Sequence, residues 1–174
     1  MKILVIEDEL ATVRGSFELA NLYAFDGNLQ ITFVVKSQDV NFQHMNEYAV
    51  VFVDISLANN SQMDGFSIMK KIHDEQPDIL NKTIILTGNN KIEEKLQDQD
   101  VDFQKIKIVY KPASYKTIAS VIKEKKRKEK EERKNEEKEG NFTGDVPVRG
   151  RGAQRYLKPA TKPGAAGDID IGIY

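Results

Sequence analysis

Five short stretches of the chain are mostly apolar rather than alternating: residues 2–6, 30–35, 49–54, 83–87 and 106–110. Each is strand-sized and rich in Val, Ile and Phe. A run that does not alternate with polar residues predicts a strand covered on both faces, as in a parallel sheet inside an α/β layer fold. Between the runs the period lengthens. Leu10, Val13, Phe17, Ala20 and Ala24 recur at three- and four-residue steps and predict an amphipathic helix. Phe66, Met69, Lys70 and Ile72 do the same after Asp64-Gly65, Ile92, Leu96 and Val101 mark a more polar helix, and Tyr115, Ile118, Ala119 and Ile122 mark the last one that can pack. Residues 37–46 are the least helix-like crossover. Strand and helix alternating about five times predict a doubly wound five-stranded parallel sheet with right-handed crossovers, the flavodoxin-like arrangement.

Past residue 122 the pattern stops. Residues 123–139 are almost all Lys, Arg and Glu, with Glu124 four residues before Lys128 and Glu129 four before Arg133. Those spacings predict a charged helical extension with no apolar seam. From residue 140 to 174, Gly and Pro recur and break regular structure, so this part reads as a flexible tail. The expected organisation is therefore a domain over 1–122, a helical extension over 123–139 and a tail over 140–174.

Overall charge adds little direction. The 174 residues carry a formal net charge of -1, so no global field draws the chain to nucleic acid or an anionic membrane, and neither is an expected partner. The tail cluster Arg149, Arg151, Arg155 and Lys158 is offset by acids upstream, and no helix-turn-helix pattern accompanies it. There is no cysteine, which removes disulfides and thiolate metal sites. No apolar run approaches the roughly 20 residues that span a bilayer, and the first strand begins too early for a signal peptide, so a soluble cytoplasmic protein is expected.

In doubly wound sheets, ligands sit beyond the carboxyl ends of the strands. Here those ends carry Glu7-Asp8-Glu9, Asp54, Thr87 and Lys111-Pro112. Carboxylates gathered together repel one another unless a cation relieves them, and a hard divalent ion with oxygen ligands does so. Mg²⁺ is the expected cofactor. A hydroxyl (Thr87) and an ammonium (Lys111) complete a set suited to a phosphoryl group, with Asp54 as the nucleophile. Taken singly, each residue has a plainer reading: Glu7 and Asp8 as helix caps, Thr87 as a turn residue, Lys111 as a solvated lysine. Their coincidence at four strand ends favours the joint reading.

The segments ILVIEDE, VVFVDISL, IILTG and VYKPAS, in this order, resemble the signature blocks of response-regulator receiver domains over residues 1–122. That resemblance implies a two-component or phosphorelay switch rather than an enzyme, with a histidine kinase or phosphotransfer protein as partner. It implies Asp54 as phosphoacceptor, Asp8 as the main Mg²⁺ ligand with Glu7 and Asp54, and the backbone carbonyl of Ser56 completing the shell. Thr87 and Lys111 would hold the phosphoryl oxygens, and the Lys111-Pro112 bond would be cis. A downstream protein partner would be read by surface contacts or by the tail.

Three features depart from the family pattern. The stretch 57–63 before Asp64-Gly65 is longer than usual and lacks proline. The usual aromatic three residues before the lysine is Ile108, which puts the aromatic switch in question. Ser56 and Asn89, two residues beyond Asp54 and Thr87, occupy positions that tune phosphoryl lifetime in the family. These departures admit an alternative, a receiver-like scaffold or adaptor that binds partners regardless of phosphorylation. A haloacid-dehalogenase-like phosphatase needs a second Asp two residues after the nucleophile, where this chain has Ser56.

Overall fold

The structure, a computed structural model, describes residues 1–57, 60–89, 92 and 106–140, the last five by backbone alone. Five strands, β1 (Lys2–Ile6), β2 (Gln30–Val34), β3 (Val50–Asp54), β4 (Thr83–Thr87) and β5 (Lys107–Tyr110), form one sheet in the order β2-β1-β3-β4-β5. All four pairings are parallel. The helices are α1 (Leu10–Phe25), α2 (Gly65–Glu75), the short α3 (Pro77–Leu80) and α4 (Tyr115–Gly140). The polar helix expected around Leu96 and Val101, and the tail 141–174, lie outside the described residues.

Period-two alternation divides the strands between two cores. Ile3, Val5, Phe52, Ile84, Leu86 and Val109 meet Val13, Phe17 and Ala20 of α1 and Ile118, Ala119, Val121 and Ile122 of α4. Leu4, Ile6, Val51, Val53 and Ile85 point the other way, onto Ile68, Met69 and Ile72 of α2, Ile79 of α3, and Met45. The helical stripes read from sequence missed Ile68 and Val121, both buried, and wrongly included Lys70, which is exposed. The three central strands are covered on both faces. The edge strands β2 and β5 are not, because among the described residues no strand pairs with their outer sides and part of each faces solvent. Two of the expected strands also shorten there: Val35 and Ile106 fall outside the ladder.

The crossover between β2 and β3 holds no α-helix. Two 3₁₀ turns, Ser37–Asp39 and Phe42–Glu47, replace it, and Val40 and Met45 supply its whole buried contribution apart from Ser37. Such turns suit a segment with few apolar residues at helical spacing. At the other end of the chain, α4 runs without interruption from its packed base into the charged stretch. The two predicted ion pairs are present, Glu124 with Lys128 at 3.3 Å and Glu129 with Arg133 at 2.8 Å. Each is exposed, so each contributes only about 0.2–0.5 kcal/mol. Lys125 Nζ additionally donates to the Asn81 carbonyl at 2.7 Å, tying the helix to the entry of β4.

Phe17 sits at the centre of one core, fully buried, with its ring edge-on to Phe52 at 4.9 Å and Phe33 at 6.0 Å. Phe17→Ala should cost about 3–5 kcal/mol, read as a lower urea midpoint with an unchanged m-value. A loss under about 1 kcal/mol would contradict this packing.

Candidate phosphoacceptor site

Parallel strands end together, so the residues after β1, β3, β4 and β5 converge at one edge of the sheet. Asp54 is the last residue of β3, Thr87 the last of β4, and Lys111 follows β5. Glu7 and Asp8 follow β1, and Glu7 is held there because its backbone N–H donates to the Val34 carbonyl at 2.9 Å. Neither acid is the cap residue of α1, which is Glu9 and makes no side-chain capping bond.

Carboxylate oxygens of Glu7, Asp8 and Asp54 lie within 4.8 Å of one another. Lys111 Nζ bridges two of these groups, donating to Glu7 Oε2 at 2.8 Å and to Asp54 Oδ2 at 3.2 Å. The opposite oxygens are also held: Glu9 N–H donates to Glu7 Oε1 at 3.0 Å and Ser56 N–H to Asp54 Oδ1 at 3.2 Å. The Lys111-Pro112 peptide is cis, and the Lys111 N–H donates to the Thr87 carbonyl at 2.7 Å. Lys111 is thus anchored by its backbone to β4 while its ammonium reaches β1 and β3.

Burial sharpens the electrostatics. Glu7 is fully buried, and desolvation pushes its carboxyl above the ordinary carboxylate range, against the pull of the Lys111 hydrogen bond. The nearby Asp54 charge adds to the rise. For Lys111, burial alone would lower the pKa, but its bond to Glu7 and the charge of Asp54 outweigh it and hold the ammonium above its usual value.

A cavity of about 510 Å³ opens over the cluster, lined among others by Asp8, Asp54, Ser56, Gly88 and Lys111. Asp54 is only 1% exposed, and it borders this cavity. The other two predicted residues stand behind the wall. Glu7 is no lining residue, and Thr87 is fully buried with its Oγ1 accepting from the Asn89 N–H at 3.0 Å. Glu9 and Pro112, which the sequence already placed at the strand ends, and Thr12, which sequence reading missed, complete the lining. Sequence reading also missed why Gly65 follows Asp64: a Cβ there would collide with the Asp54 carbonyl and the Ile55 Cα. The first turn of α2 can approach the end of β3 only through a glycine, while Asp64 Oδ1 caps that turn by accepting from Ser67 N–H at 2.8 Å.

The donor set fits a small divalent cation. Octahedral ligands about 2.1 Å from Mg²⁺ lie roughly 3–4 Å apart, so the carboxylates need only a slight contraction around one. Asp8 and Asp54 face the cavity from which such an ion would arrive, with Glu7 behind them.

Solved structures share this architecture. The receiver domain of AraT, a response regulator from Geobacillus stearothermophilus, matches with a TM-score of 0.57 at 21% identity, over 76% of this chain and 97% of that one. The receiver domain of NtrX from Brucella abortus gives 0.54 at 20% identity, over 71% and 96%. The signal receiver domain of a DNA-binding response regulator from Colwellia psychrerythraea 34H gives 0.53 at 23%, over 71% and 96%. No family model matches the sequence, and no curated protein matches it significantly. At these identities the likeness is one of fold, and the fold is that of response-regulator receiver domains.

The Glu7 carboxyl should titrate above its ordinary value of 4.5, and adding Mg²⁺ should move the midpoint down. Its folded-state pKa is raised, so the native state holds this proton more tightly than the unfolded chain does. The associated stability is present at low pH and is lost as pH rises through the folded pKa. Carboxyl carbon NMR of Glu7 with and without Mg²⁺ checks both the direction and the metal response; no response to the ion would contradict a shared site.

Proposed function

We propose that the chain is a phosphoacceptor receiver of a two-component or phosphorelay system, phosphorylated on Asp54 in a Mg²⁺-dependent reaction that alters its protein contacts. The observation that carries this reading is the bridging of Glu7 and Asp54 by Lys111 beside Asp8, at the floor of a cavity. A carboxylate held between an ammonium and two further acids is poised for an electrophile that arrives with a cation, and a phosphoryl group is such an electrophile.

In the proposed reaction an Asp54 oxygen attacks phosphorus, an O–P bond forms, and the N–P bond of a phosphohistidine donor breaks. The departing imidazole keeps the electron pair and takes a proton from solvent. Lys111 passes from Asp54 Oδ2 to an oxygen of the transferred group, and the Thr87 hydroxyl turns from the Asn89 N–H to donate to another. Asp8, Glu7, Asp54 and the Ser56 carbonyl would hold Mg²⁺, which when bound neutralises the charge gathering on the phosphoryl oxygens. Such a chain is a switch rather than an enzyme acting on other molecules.

The donor also needs a surface. Beside its core stripe, α1 carries a second apolar face made of Ala11, Gly15, Leu19 and Leu22, with Tyr23 next to it; Leu22 is 59% and Tyr23 67% exposed. The helix begins at the cavity, where Thr12 is a lining residue. A histidine kinase or phosphotransfer helix laid along this face would bring its histidine to Asp54.

Incubation with acetyl phosphate and Mg²⁺ should add one phosphoryl group by intact mass, absent in Asp54→Ala and with a chelator. An unlabelled wild type would favour the second reading, a scaffold that binds partners without switching. Ile108 supports that second reading, because β5 carries this aliphatic residue where the family's switch is aromatic. Leu19→Asp with Leu22→Asp should slow transfer from a phosphohistidine donor at least about tenfold while acetyl phosphate labelling stays at the wild-type rate. Equal loss with both donors would remove α1 as the docking face.

A further inference from the structure

Ser37 is fully buried, yet it belongs to no catalytic group and lies in a crossover that otherwise buries little. Its partners explain it. Ser37 Oγ accepts from the Met63 N–H at 2.8 Å, and the Ser37 N–H donates to Ser61 Oγ at 3.3 Å. The next residue repeats the arrangement: Gln38 Oε1 accepts from the Gln62 N–H and Gln38 Nε2 donates to the Asn60 carbonyl, each at 3.2 Å. Two consecutive residues thus stand in for a backbone ladder and close the β2–β3 crossover onto the β3–α2 segment.

Both segments lead into the carboxylate cluster. The crossover leaves β2 just beyond Val34, whose carbonyl holds the Glu7 N–H. The other segment begins at Asp54 and Ser56, buries Leu57, and ends where the Gly65 N–H donates to the Ile55 carbonyl at 3.3 Å. The four bonds therefore join the Glu7 side of the site to the Asp54 side across a segment longer than the family pattern. A long segment of this kind needs such a tie, because its ends alone leave its middle residues free to vary.

We propose that Ser37, assisted by Gln38, is a positioning residue for phosphoryl chemistry at Asp54: it holds residues 60–63 so that Ser56 and Asp54 keep the geometry that binds the cation and sheds water from the phosphoryl group. The inference rests on the proposed phosphoacceptor function and adds what sets its lifetime. Ser37→Ala takes the acceptor from the Met63 N–H, loosens the segment, weakens cation binding and admits water to the acyl phosphate. Hydrolysis then speeds up while the cluster itself is untouched.

The test uses the full chain in three measurements: Mg²⁺ affinity by titration, half-life of the acetyl-phosphate-labelled form at saturating Mg²⁺, and hydrogen exchange at Met63. For Ser37→Ala we expect a dissociation constant raised and a half-life shortened by about tenfold, the low end for residues that orient ligands from outside, with faster exchange at Met63. Gln38→Ala, at an exposed position that does not endanger folding, should move all three the same way by less. Ile79→Val, in the core at the far end of the sheet, serves as a control for general destabilisation and should move none. A lower Tm in Ser37→Ala with wild-type affinity and half-life would overturn the proposal and leave Ser37 as a structural residue. A wild type that takes up neither Mg²⁺ nor a phosphoryl group would overturn the underlying function, and this inference with it.

Discussion

Carboxylates gathered at a poorly hydrated sheet edge repel one another, and only positive charge makes their company tolerable. The ammonium of Lys111 supplies it here, with 2.8 Å to Glu7 and 3.2 Å to Asp54. Nearly every other feature of the site derives from that need. Lys111 comes from the edge strand yet must reach the first and third, so its backbone is held to Thr87 and followed by a cis proline. Among the described residues one ammonium meets three acids, which leaves net negative charge, and that deficit is what a divalent ion would fill.

The sheet explains why these groups meet at all. Parallel pairing in register from Ile3 with Val50 through Thr87 with Tyr110 aligns the strand ends, so residues up to 104 positions apart, as Glu7 and Lys111 are, reach hydrogen-bond distance. The two cores on either face keep that alignment rigid, which is why the chemistry can sit on strand ends and the short connections after them.

Much of this is legible in the sequence. The central strands announce themselves because burial on both faces demands unbroken apolar runs, and the candidate acids, Thr87 and Lys111 stand at or just past the end of each run. Edge strands are less legible: a strand with one open side tolerates polar and exposed positions, so Val35 and Ile106 resemble strand residues without being paired. Ile68 escapes because it sits beside the counted stripe, inside the wider face that α2 buries. Ser37 and Gly65 give no sign of their importance. Their roles depend on contacts with residues 24 or more positions away for Ser37 and on a backbone approach for Gly65, neither of which leaves a periodic trace. The deep seat of Asp54 is likewise invisible, since an acid's exposure depends on the loops above it.

The fourth helix has a mechanical consequence. Its base, through Ile122, is clamped in the core and Lys125 is tied to Asn81, while the charged turns from Lys126 to Gly140 continue the same helix. Fifteen residues at a rise of about 1.5 Å make a rod of roughly 22 Å, so a tilt of about 10° at the base would sweep its far end by roughly 4 Å. A rearrangement too small to notice within the sheet would be magnified at the tip, and anything grasping that tip would feel it as a displacement.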